Sequence, residues 1–201
     1  MSGDTSFRAR PHSTVETDFL PHTELPTTRV SRVLDGALQG LGYAVSWLWL
    51  AVVGIILAAV IGRYGFGTSS VMMEELEWHI SGAVWLIGLS YTLVSDNHVR
   101  VDVLHERFGL KTQAWIEVLG ILFLLLPFCW IAVDTAADFF WSSWQQGEVS
   151  NSPGGLPARY VIKFFIPLAF ILIAVAAVSR LLKCTALLFG WPRPIRRPAA
   201  S

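Results

Sequence analysis

Five histidines are the side chains best suited to ligating a metal or haem, and their spacing decides what they can share. His12 and His22 lie in a polar N-terminal stretch, His79 opens an apolar run, and His98 and His105 follow its far end. A bis-histidine haem needs two ligands opposed at matching depth. His79 and His98, nineteen residues apart, would stand about 28 Å from each other on a helix. His98 and His105 have no Cys or His cluster at zinc spacing beside them. The two cysteines, Cys129 and Cys184, sit in or at the edge of apolar runs and read as small apolar fillers. Glu117 and Asp134 lie near the two ends of one apolar run, where each can reach an interface, and no charge falls at the middle of any run. That argues against a self-sufficient ion or proton pathway. No nucleophile constellation or paired-carboxylate site is present. Ser152-Pro153-Gly154-Gly155 is a turn signal without the Lys-Ser/Thr ending of a phosphate loop. The residues therefore predict no catalytic group, no metal site and no cofactor.

The elements that position these side chains are long and apolar. The 201-residue chain is 53% hydrophobic and 15% charged, with nine tryptophans, against roughly 25% charge in a soluble domain. Its mean hydropathy is +0.52. A bilayer-spanning helix needs about 20 mainly apolar residues. Four segments qualify, at about 38–61, 78–94, 114–133 and 161–182, which predicts an all-α integral membrane protein of four transmembrane helices. Of the fifteen Lys and Arg, only Arg63, Arg159 and Lys163 fall on one side. The positive-inside bias then makes both termini and the middle loop cytoplasmic. Residues 1–36 read as a disordered cytoplasmic tail, 37–189 as the membrane domain, and 190–201 as a basic cytoplasmic tail. Zero net charge offers nothing to nucleic acid.

Small residues on helix surfaces let backbones approach in lipid. Gly54, Ala58 and Gly62, preceded by Gly36, Gly40 and Ala44, and later Ser81 and Gly88, could close the helices on one another or seat a partner protein. Pro127 and Pro167 should kink helices three and four locally. Two polar stretches are more elaborate than their length requires. In residues 91–103, valines alternate with His98, Arg100 and Asp102, as in a strip lying at an interface. In residues 147–160, two prolines and three glycines shape a turn between Glu148 with Ser150 and Arg159 with Lys163.

These pieces carry a resemblance. Glu74-Glu75-Leu76 with Trp78-His79, Tyr91-Thr92 through His98-Val99-Arg100-Val101-Asp102-Val103, Leu126-Pro127-Phe128, Gly147-Glu148 with Ser150, and Gly154-Gly155-Leu156-Pro157 through Arg159-Tyr160 and Ile162-Lys163 stand in matching order and spacing. From about Glu74 to Arg180 the chain resembles the small membrane subunit, a DctQ-like small permease, of tripartite ATP-independent periplasmic (TRAP) transporters. The resemblance implies a subunit of the bacterial inner membrane that is not an enzyme. It would pack as a scaffold against a large polytopic membrane subunit. That subunit takes up an organic anion, often a carboxylate, on an ion gradient after a periplasmic binding protein delivers it. It also implies structural or interface roles for Glu75, His98, Arg100 and Asp102, and roles at the external face for Glu148, Ser150, Arg159 and Lys163. The alternative is a membrane anchor of a respiratory enzyme, binding haem or quinone through His79 and the tryptophans.

Overall fold

A computed structural model describes residues 25–95 and 109–192 of the protein, and these are helical without any strand. Helix α1 spans Arg29–Ser46 and begins ahead of the apolar run because Thr28 and Ser31 cap it reciprocally. The Ser31 N–H donates to Thr28 Oγ1 at 3.1 Å and the Thr28 N–H to Ser31 Oγ at 3.0 Å, both groups buried. This satisfies two amides that the first turn would otherwise leave bare. Trp47 keeps right-handed helical backbone, so α1 continues into α2 (Leu48–Gly65) as one segment of 37 residues. Helix α3 spans Val71–Val94, and α4 spans Leu110–Gly120. A π-helical turn at Ile121–Leu125 leads into α5 (Leu126–Gln145), and α6 covers Tyr160–Phe189.

Where a kink is expected at Pro127, the chain makes that π turn. Proline has no N–H to offer the carbonyl four residues back, and its ring crowds that carbonyl; a widened turn just before it relieves both problems. Pro167 is accommodated inside α6 and is buried. Gly190 stops α6 at φ 66°, in the left-handed region that glycine enters without penalty.

The helices form an open layer rather than a closed bundle. Helix α6 is central, with α4 and α5 on one flank and α3 and α1 on the other, while α2 packs on α3. Helices α2 and α3 run antiparallel, as the Trp49–Trp85 ring contact (5.9 Å between centroids) and the Arg63–Glu74 ion pair require. Helices α5 and α6 are also antiparallel, joined by Phe128–Phe170, Phe140–Phe164 and Trp144–Tyr160 at 5.7, 5.5 and 4.9 Å. Close approaches use residues other than the expected small ones. Ala169, Ala176 and Ala177 of α6 and Ala83 and Ser90 of α3 are buried, and the Tyr91 ring covers Gly42. Among the described residues, no atom from elsewhere lies within 4 Å of where a Cβ would stand on Gly36, Gly40, Gly54 or Gly88. Among the described residues, these four glycines do not close the helices on one another.

Among the described residues three segments are long and apolar enough to cross a membrane: Arg29–Gly65, Lys111–Gln145 and Tyr160–Phe189. Helix α3, where the second span was expected, has the length but is not one of them, because Glu74, Glu75, Glu77 and His79 occupy its first turns. Within the most apolar stretch of each of the three, only 11%, 11% and 22% of residues are buried by the rest of the chain. Most of the apolar surface is thus left for lipid or another protein.

Candidate functional site

Two polar clasps bracket the layer. At the hairpin end, where α2 meets α3 and α5 meets α6, the 147–158 loop folds back on itself. The Glu148 N–H donates to Ser143 O (3.1 Å), the Ser150 N–H to Leu156 O (3.0 Å) and the Arg159 N–H to Glu148 O (3.0 Å). Gly147 and Gly154 take φ of 57° and 77°, which the two reversals require. Glu75, from the second turn of α3, reaches into this loop. Its Oε2 accepts the Leu156 N–H at 2.7 Å and its Oε1 accepts the Ser150 hydroxyl. The Ser150 hydroxyl and the Leu156 amide hold the Glu75 carboxyl below its ordinary value. Gly155 passes directly over this contact. A Cβ there would stand 2.5 Å from Ser150 Oγ and 2.7 Å from Glu75 Oε2.

A second carboxylate locks the same loop to α6. Lys163 Nζ donates to Glu148 Oε2 and to Ser143 Oγ (2.6 Å), and lies 3.9 Å from the centroid of the Phe139 ring. Arg159 Nε stands 3.9 Å from Glu148 Oε1. Lys163, then Ser143, hold the Glu148 carboxyl below its ordinary value. Between α3 and this loop lies a cavity of about 360 Å³ lined by residues that include Glu74, Glu75, His79, Ser152 and Arg159. His79 Nδ1 is 2.6 Å from the Glu75 carbonyl, and its Nε2 is buried without a hydrogen-bond partner among the described residues. A carboxylate with a lowered pKa is a poor general base, so the Glu75–Ser150 contact positions the loop rather than activating the serine. No three His, Cys, Asp or Glu side chains among the described residues converge as a metal site needs.

The opposite end carries its own clasp. Arg180 on α6 makes a bidentate contact with Glu117 on α4, Nε to Oε2 at 2.9 Å and Nη2 to Oε1 at 3.0 Å. The Cys184 Sγ lies 3.2 Å from the same Oε2. Lys183 Nζ is 2.6 Å from Asp35 Oδ2, and the Ser179 hydroxyl donates to Asp35 Oδ1 at 2.6 Å. Along α6, Lys163 and Arg180 are seventeen residues apart, about 25 Å. No charge falls between them, and the distance is close to the thickness of a hydrocarbon core, roughly 30 Å.

Five of the residues singled out in the sequence thus meet at the hairpin end: Glu75 with Ser150, and Glu148 with Arg159 and Lys163. His98, Arg100 and Asp102 lie outside the described residues, as does most of the 91–103 strip. The sequence reading missed Ser143 and both pairs at the opposite end, and it took Gly155 only as part of a turn signal and of the family resemblance. Opposite charges at equal depth in neighbouring helices, Glu117 against Arg180, would have signalled one of them.

Both hairpin-end carboxyls have pKa values lowered from 4.5 in the folded chain. Their stabilising contribution is therefore complete above that ordinary value and is lost as pH falls through the lower folded value. Limited proteolysis should leave the 147–158 loop intact between pH 5 and 8 and cut it increasingly below about pH 4.5. Glu75→Gln should make the loop sensitive already at pH 7. Equal cleavage of both forms at every pH would show that the clasp does not hold the loop.

An open layer of apolar helices, with its ion pairs clustered at its two ends, defines a small polytopic membrane protein. The family model for tripartite ATP-independent periplasmic transporters, DctQ component, matches residues 52–187, and the chain belongs to that family. It is a small membrane subunit of a TRAP transporter. No curated protein and no solved structure gives a significant match.

Proposed function

We propose that this chain is the scaffold subunit of its transporter. It packs against a large polytopic membrane subunit, which moves an organic anion, a carboxylate in most such systems, on an ion gradient after a periplasmic binding protein delivers it. The observation that carries this reading is the open layer, whose apolar segments are mostly uncovered by the chain's own residues. In the bacterial inner membrane the layer crosses four times with both termini cytoplasmic. Helix α3 is the second crossing, and its acidic first turns emerge at the outer face, where the helix dipole favours negative charge. The hairpin-end clasp then faces the periplasm. Its role is to hold the 147–158 loop in one shape beside the large subunit.

Proteoliposomes test this. Uptake of a carboxylate should require the large subunit together with this chain and the binding protein, and this chain alone should move nothing. Uptake that survives omission of the large subunit would overturn the scaffold role.

A further inference from the structure

Helix α5 carries a stripe that none of the described residues covers. Trp130, Ile131, Asp134, Asp138 and Trp141 recur at spacings of three, four and seven, and so share one face. All five are exposed, Trp130 by 76% and Ile131 by 63%. The opposite face, Cys129, Ala136 and Ser143, is the buried one. Asp35, Glu74, Glu75, Glu117 and Glu148 each have a partner, whereas Asp134 and Asp138 make no hydrogen bond or ion pair with any described residue.

Their depth makes this costly. Ser143, where Lys163 is anchored, marks the polar level at the hairpin end. Asp138 lies five residues inward of it, about 8 Å along the axis, and Asp134 nine residues inward, about 14 Å. A lysine can snorkel over such a distance on its long stem, but an aspartate has a single methylene. Lipid chains offer no donor, so a carboxylate at this depth requires protein or water against it.

We propose that this stripe of α5 is the seat of the large membrane subunit, which presents a basic or hydrogen-bond-donating side chain to Asp134 and Asp138. The proposal rests on the scaffold reading above and locates its interface. Charge complementarity selects the occupant. A second copy of the chain docked stripe to stripe would set carboxylate against carboxylate, and a soluble protein does not reach this depth. A groove of about 560 Å³ with apolar walls, between Trp130 and Val133 of α5 and Ile171 and Ala174 of α6, opens beside the stripe. The side chains of a crossing helix would fill it.

The test uses the full chain co-expressed with its large subunit. A photo-crosslinking residue replaces Ile131 in one form and Leu57, on the exposed side of α2, in another. A third form carries Asp134→Lys with Asp138→Lys. Crosslinking from position 131 should capture the large subunit. The double lysine form should lower the co-purified large subunit at least tenfold while eluting as a folded chain, and Asp134→Asn should lower it less. Crosslinking from 131 to lipid alone, capture from 57 but not from 131, or undiminished co-purification of the lysine form would each overturn the proposal. If the large subunit fails to accompany even the unaltered chain, the scaffold reading itself falls, and that result is visible before any variant is made.

Discussion

Replacing Arg180 with leucine should destabilise the membrane domain by about 3 kcal/mol, the size expected when one partner of a mostly buried ion pair is removed. Arg180 and Glu117 are only 12% and 16% exposed, and their contact is bidentate, so solvent screens it weakly. The loss would come chiefly from Glu117, which would lose its two-point guanidinium contact between α4 and α6. Removing both charges should therefore cost less than removing one. Glu117→Leu with Arg180→Leu should recover much of the stability that Arg180→Leu loses, because the neighbourhood includes the apolar cluster of Ala114 and Val118. Arg180→Lys keeps the charge but cannot reproduce the two-point contact, and should fall between. Thermal unfolding in mild detergent reads the unaltered chain, these three variants and Glu117→Leu alone. If the double variant is as unstable as the sum of its parts, the pair is not coupled and the reading of this clasp is wrong.

The sequence announced the polar ends of the layer better than its interior. Glu75, Glu148, Ser150, Arg159 and Lys163 stood out because they are polar residues set in shaped loops beside apolar runs, and the fold brings them to one end. What the sequence did not reveal is which partner each takes. Glu75 meets Ser150 across 75 positions of chain, and no local pattern encodes a contact of that range. Glycine spacing misled in the interior. Gly54 and Ala58 have the four-residue period of a packing stripe, yet they lie on an exposed side of α2. A period defines a face, not what covers it. The alanines that do pack, Ala169 and Ala176, sit seven apart in a helix so apolar all round that no face of it stands out. The early start of α1 escaped notice for a different reason. Its cap uses Ser31 where the commoner capping box has Glu or Gln, and polar Arg32 and Asp35 follow before the hydrophobic run begins.

Gly155 offers the sharpest test of the hairpin-end clasp, because two kinds of glycine in this chain should respond with opposite sign. At Gly54 no atom from the other described residues lies within 4 Å of an added Cβ, and the position is inside a helix. There Gly→Ala should stabilise by roughly 0.5–1 kcal/mol through helix propensity. At Gly155 the same methyl would stand 2.5 and 2.6 Å from the Oγ and Cβ of Ser150, closer than real Cβ atoms come to their neighbours. Overpacking of this kind typically costs about 1–3 kcal/mol. Relief requires the loop to lift from Glu75, which would separate the carboxylate from both the Ser150 hydroxyl and the Leu156 amide. Gly155→Ala should accordingly expose residues 147–158 to protease at neutral pH, and Gly155→Val more so. The cause is steric, so the cost must depend on what the methyl meets. In a Ser150→Gly background much of the obstruction is gone, and adding Gly155→Ala should cost clearly less than it does in the unaltered chain. Equal costs in the two backgrounds would mean that Gly155 is required for its backbone and not for the space it leaves above Ser150 and Glu75.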